Sequence, residues 1–206
     1  MKKHYFCYSK QKLNSILLLC TILWLSTNLL HAQDSNFYYQ NFLESSISIQ
    51  KSGMLVLGSW ALMNIISGIP GTLMYINDVK YFYQMNTAWN VINLGIATIG
   101  YIGAINGYNV QSSVEILAEL HKFDRILLIN AGLDFAYIGT GIWLWKKGII
   151  DESYRLKGYG KSVILQGTFL LLFDTILYLV HHQKTTGLQL LGGQLSISGT
   201  GVSFTF

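Results

Sequence analysis

A chain of 206 residues that is 51% hydrophobic and only 12% charged falls far short of the roughly 25% charged residues of a soluble domain. Its formal net charge of +4 is modest and its basic residues are dispersed, which excludes the clustered Lys/Arg footprint of a nucleic-acid binder. Low charge with 20 Gly and one Pro is the composition of membrane helices, in which Gly is frequent.

Lys2, Lys3, Lys10 and Lys12 precede an apolar run over 13–30, and Leu30-His31-Ala32 ends on a small residue. This order reads as a cleavable signal peptide over 1–32, cut after Ala32. The run approaches spanning length, so an uncleaved first span is the alternative. Cys20 follows three Leu, whereas a lipid-attachment box needs a small residue there. Both cysteines, Cys7 and Cys20, lie in the signal, so the mature chain has no thiol for a disulfide.

Residues 33–52 mix Phe37, Tyr38, Phe42 and Ile47 with polar neighbours and read as an interfacial amino-terminal helix. Four apolar stretches follow, over 53–76, 85–108, 126–145 and 162–180. The first two are uncharged, and the others carry only Asp134 and Asp174. Each reaches about the 20 residues that cross a bilayer, and the backbone of such a span closes its hydrogen bonds as a helix. The expected fold is therefore an all-α membrane protein, a four-helix transmembrane bundle over 53–183.

Ser112 and Glu115 form a capping box that starts the third helix ahead of its span. After His182 the pattern changes. Residues 195–198 and 202–206 alternate around Gly199-Thr200-Gly201, which predicts a short carboxy-terminal β-hairpin within a tail over 184–206.

Lys80, Lys146, Lys147, Arg155, Lys157 and Lys161 outnumber Lys51, Lys122, Arg125 and Lys184 on the opposite side. That bias predicts a multi-pass bacterial inner-membrane protein with both mature termini extracytoplasmic.

Pro70 should bend the first span. Gly103-x-x-x-Gly107, with Gly95, Gly100, Gly132, Gly139 and Gly141, is expected to let backbones approach. Trp60-x-x-x-Asn64 recurs as Trp89-x-x-x-Asn93, an echo too short to establish a repeat.

Asn86, Asn90 and Asn93 fall on one face of the second helix, and Asn130 and Asp134 on one face of the third. Gln166 and Asp174 share a face of the fourth. Antiparallel packing should bring Asn64, Asn93, Asp134 and Asp174 to one depth on the bundle axis. Asn64, Asn90, Asn93, Asn130, Asp134 and Asp174 are the candidate ligand or proton site. An ionised carboxylate at that depth costs about 2.5 to 3.5 kcal/mol, and no span holds Lys or Arg to pair with it. At least one Asp is therefore expected to carry a proton.

No His-Glu-x-x-His, Glu-x-x-His or Gly-x-Ser-x-Gly is present, so neither a metal nor a cofactor is expected. His121 and His181-His182 read as interfacial histidines. Gly158-Tyr-Gly160-Lys161-Ser162 mimics the end of a phosphate loop, but Arg155 occupies the position of its first Gly.

Several segments resemble an uncharacterised family of small bacterial four-span integral membrane proteins of unknown function. They are Gly53-Met-Leu-Val-Leu-Gly-Ser-Trp60-Ala61 with Asn64 and Gly68, Tyr81-Phe-Tyr-Gln-Met-Asn86 with Trp89-Asn90, and Asn93-Leu-Gly95. Asp134-x-x-Tyr137, Gly158-x-Gly160 and Asp174 extend the similarity, which runs over about residues 50–182. The resemblance implies a shared bundle and transfers no mechanism.

Three readings of function follow. The first is a non-enzymatic structural or partner-binding bundle of the cell envelope, with the lipid bilayer, a membrane-protein partner or a second copy of the chain as its partners. The second is a small transporter or proton-linked carrier subunit using the Asn/Asp set. The third is an intramembrane lipid-modifying enzyme in which the two Asp act as acid and base.

Overall fold

The computed structural model describes the backbone of residues 2–197 except 108, 109 and 111. It describes the side chains of Thr21 and of residues 39–187 except 108, 109, 111 and 113. Among the described residues there are four helices: α1 (Lys2–Met74), α2 (Asn77–Asn106), α3 (Ser113–Ile150) and α4 (Tyr154–Ile197). Each contains a segment long and apolar enough to cross a membrane: Tyr39–Met74, Asn77–Asn106, Val114–Ile150 and Tyr154–Gly187.

Two connections are very short, and they force antiparallel neighbours. Tyr75 and Ile76 join α1 to α2, and Asn77 takes the left-handed conformation (φ 56°) that reverses the chain. Residues 151–153 join α3 to α4, with Glu152 left-handed (φ 49°) and the Ser153 hydroxyl accepting from Leu156 N–H. Both turns lie at one end of the bundle, here the hairpin end. The opposite end, where α3 begins, is the open end. There the Ser112 hydroxyl accepts from Glu115 N–H, and the Glu115 carboxylate accepts from Ser112 N–H. The capping box legible in the sequence is thus formed.

Packing builds two hairpins, α1/α2 and α3/α4, held together mainly by α4 against α2 and α1. The backbones of α2 and α3 do not approach each other. Where Phe42, Leu43 and Ile47 of α1 reach α3, they pack on Ile116, Leu117 and Leu120.

The rest of the bundle is inverted relative to a soluble protein. Asn86, Asn90, Asn93, Asp134, Gln166 and Asp174 are buried, while Met63, Ile66, Leu73, Ile92, Ile99, Ile129 and Phe135 are exposed. Outward apolar and inward polar side chains are what hydrocarbon surroundings select.

Two expectations change. Leu195, Ser196 and Ile197, assigned to the first hairpin strand, continue α4, where each backbone N–H reaches a carbonyl one turn earlier, a partner that a lone strand lacks. The rest of that hairpin lies outside the described residues. Residues 13–30 and 33–52 are helical and continuous with the first span, which leaves their separate assignments as they stand, and α1 includes Pro70. Gly95, Gly103, Gly132 and Gly139 have open space where a Cβ would be, and Gly107 (φ 67°) ends α2. Of the expected glycines, Gly141 does meet a neighbouring backbone, at Gly160, where α3 and α4 cross backbone to backbone.

The segment that mimicked a phosphate loop is part of this packing. A Cβ on Gly158 would meet the backbone of Asp78 and Phe82. Lys161 pairs with Asp78 at 2.7 Å, tying α4 to α2. That pair is partly exposed, so Lys161→Ala should lower stability by less than about 1 kcal/mol in detergent unfolding.

Candidate functional site

Polar side chains occupy three layers along the bundle axis, marked on α4 by Gln166, Asp174 and His181. Helical rise separates these by about 12 Å and about 10 Å.

The layer nearest the hairpin end is a closed amide network. Asn86 donates to the Asn64 carbonyl (2.8 Å), and Gln166 donates to the Asn86 side-chain carbonyl. Trp60 Nε1 donates to Gln166 Oε1 (3.1 Å) while its ring stacks on Phe169 with centroids 3.9 Å apart. Asn90 donates to the Asn86 backbone carbonyl (2.8 Å), and Asn64 to that of Trp60 (2.8 Å). Every member but Asn90 Oδ1 is matched, so this layer is suited to holding helices rather than receiving a ligand.

The middle layer is a cavity of about 340 Å³. Asn93 of α2, Asn130 and Asp134 of α3 and Asp174 of α4 provide its polar groups, and no Lys or Arg among the described residues lines it. Trp89, Phe123, Tyr137 and Phe173 supply aromatic walls. Asp134 and Asp174 are close enough for their charges to interact, and Asn130 stands beside Asp174. Asp134 Oδ2 and Asn93 Nδ2 are buried without a hydrogen-bond partner. The cavity lies where α2 and α3 stand apart, and it is floored by Trp89 edge-on to Tyr137 at 4.9 Å.

The six candidate residues therefore separate. Asn64 and Asn90 belong to the amide layer, whereas Asn93, Asn130, Asp134 and Asp174 share the cavity. The two Trp-x-x-x-Asn segments have unlike roles. Trp60 and Asn64 are hydrogen-bonded within the amide layer, while Trp89 and Asn93 line the cavity.

The third layer, toward the open end, was not read from the sequence. His181 is fully buried, with Nδ1 2.6 Å from Asp124 Oδ1 and Nε2 2.5 Å from the Ser46 hydroxyl. The half-exposed His182 places Nδ1 2.9 Å from Asp124 Oδ2. Ser46 had been assigned to an interfacial segment, Asp124 lay just before the expected third span, and the histidines were read as solvated. The available signal was depth: Asp124 precedes span three by about the distance at which His181 follows span four.

Among the described residues no group of three or more His, Cys, Asp or Glu is arranged to hold a metal ion. A protein-family profile described as a family of unknown function matches residues 56–175, more than half of the chain. No curated protein and no solved structure matches it. The chain belongs to that family, DUF6992, whose function is unknown.

Proposed function

We propose that this protein is a small multi-pass membrane carrier that takes a monovalent organic cation into the cavity bounded by Asn93, Asn130, Asp134 and Asp174. The observation that carries this reading is a pair of facing carboxyls in a cavity with no basic side chain, one carboxyl oxygen having no partner. Two such acids need one positive charge between them, which either a proton or a ligand cation supplies. The two then compete for one place, which is the requirement for exchange.

Trp89, Tyr137, Phe123 and Phe173 favour a cation carried on an apolar body, because aromatic faces attract ammonium groups. The gap between α2 and α3 gives lateral entry. In this reading the helices cross a bacterial inner membrane after loss of the amino-terminal signal, with both mature ends outside. A purely structural or partner-binding bundle accounts for the amide layer, but leaves the unpartnered Asp134 Oδ2 and Asn93 Nδ2 without a purpose.

Proteoliposomes preloaded at low pH should accumulate phenyltrimethylammonium, a permanently charged probe, as protons leave. Asp134→Asn and Asp174→Asn, close in shape to wild type, should each lower uptake at least tenfold. Probe binding should strengthen as pH rises, because fewer protons compete. Uptake no faster than in protein-free vesicles, with folded protein confirmed by circular dichroism, removes the proposal.

A further inference from the structure

One arrangement of the hydrogen bonds around His181 satisfies every group with neutral imidazoles. In it the Asp124 carboxylate accepts from Nδ1–H of both His181 and His182. Nε2 of His181 is then an acceptor, and the group facing it is the Ser46 hydroxyl, whose proton must point at the ring. Gln50 Nε2 donates to the same Ser46 oxygen at 3.3 Å. Nε2 of His182 faces the Thr186 hydroxyl at 3.4 Å. A hydroxyl aimed at the free nitrogen of an imidazole whose other nitrogen is held by a carboxylate is the arrangement that activates a serine, and it is recognised by geometry rather than by order in the chain.

We infer that Ser46 is a nucleophile, with His181 as its general base and Asp124 as the group that sets the tautomer, and that this layer hydrolyses long-chain acyl esters. The proposal is separate from the cavity and its occupant. Ser46 and His181 lie beyond the residues matched by the family profile, so membership in the family does not imply it.

The step balances with water as the only co-reactant. Ser46 Oγ bonds to the ester carbonyl carbon as its proton passes to His181 Nε2. Gln50 Nε2, already beside Oγ, is placed to donate to the oxyanion. Collapse breaks the ester C–O bond, and the departing alkoxide takes the proton from His181 and leaves as the alcohol. Water then attacks acyl-Ser46 by the same route, which yields the carboxylic acid and restores the hydroxyl.

An acyl substrate follows from the surroundings. An apolar groove of about 510 Å³ runs between α1 and α4, lined by Ile49, Val56, Phe169, Leu172, Ile176 and Val180. Val180 adjoins His181 in the chain, and Ile49 lies one helical turn from Ser46. The groove therefore ends beside the reacting pair, and its lining suits an acyl chain. Ser46 and His181 are 1% and 0% exposed, so the carbonyl must enter along the α1–α4 seam, beside Gly53, which has no side chain and faces the flexible Leu177 side chain.

The test is labelling of the full-length protein, in phosphatidylcholine vesicles and in detergent, with a long-chain alkyl fluorophosphonate, located by peptide mass spectrometry. Hydrolysis of p-nitrophenyl palmitate is followed in parallel. Label should fall on Ser46 and vanish in Ser46→Ala. Asp124→Asn and His181→Gln should slow labelling and hydrolysis at least a hundredfold while thermal unfolding shows the fold retained. Absence of label in both media, label that survives Ser46→Ala, or Ser46 labelling at an unchanged rate in His181→Gln would each overturn the assignment. A long-chain probe reacting no faster than a short-chain one would overturn the groove as the acyl site.

Discussion

Gly160→Val should separate α3 from α4 and destabilise the protein by about 3 kcal/mol or more. Even the first added carbon would lie 2.4 Å from Trp145 N and 2.7 Å from the Gly141 carbonyl oxygen, and both obstacles are backbone. Side chains can turn aside for an intruding methyl group, but a helix backbone moves only as a whole. Overpacking of ordinary cores costs about 1–3 kcal/mol, and this site lacks the usual means of relief. For a chain of this size that corresponds to a fall of roughly 6–12 °C in the unfolding midpoint. Gly139→Ala is the control on the facing helix, α3. Its Cβ would meet nothing within 4 Å, so stability should change by less than about 1 kcal/mol. Thermal unfolding of both variants in one detergent checks the pair. Equal midpoints would show that the α3–α4 crossing does not depend on the missing side chain.

Asn86→Ala should be the most damaging truncation in the amide layer, costing about 2–4 kcal/mol. It leaves Asn64 Oδ1 without its donor and Gln166 Nε2 without its acceptor, on α1 and α4 respectively. A buried polar group stripped of its partner costs about 1–3 kcal/mol. Separated helices in a bilayer find substitute partners, which holds the total below the simple sum. Asn90 bonds to the backbone carbonyl of residue 86, so its contact survives the change. The double variant Asn86→Leu/Gln166→Leu should lose less than the two single variants together, because it removes both ends of one bond. Strict additivity in equilibrium unfolding would show that the two side chains do not share it.

The two variants probe levels of the structure that differed in legibility. Helix existence was plain from run length and charge, since a bilayer span must be both long and uncharged, and Ser112-x-x-Glu115 fixed the start of α3 by local hydrogen bonding alone. The closely packed glycines were not plain. Gly103-x-x-x-Gly107 has the favoured spacing but no facing helix at Gly103, whereas Gly141, one of the glycines noted beside it, is matched with Gly160 on a different helix, and no spacing reveals that pairing. The terminal alternation misled because period-two patterning describes a strand only where another strand or surface can pair with it. At residues 195–197 helix continuation won.

The candidate site divides in the same way. Asn86, Asn90, Asp134 and Asp174 were identifiable one by one, because polar residues in a span are rare and turn inward. Their grouping was not. Asn64 and Asn93 occupy matching places in similar segments, yet one is bonded within the amide network and the other faces a cavity. Ser46 and Asp124 were passed over because each precedes its apolar run, where a polar residue attracts no notice, and His181, just past the end of its own run, reads as interfacial.

What the amino-acid order alone determined was the set of helices, their antiparallel succession and the identity of the inward polar residues. Helical period assigns residues to a face, and it does so without reference to any neighbour. What only the tertiary structure decided was which faces meet. A helix turns about 100° per residue, so a small rotation or axial offset of one rod exchanges every cross-helix partner. The separation of α2 from α3 opens the cavity, and the join of Ser46 to His181 and of His181 to Asp124 spans 135 and 57 residues of chain. Such contacts are fixed by how the four rods settle against one another.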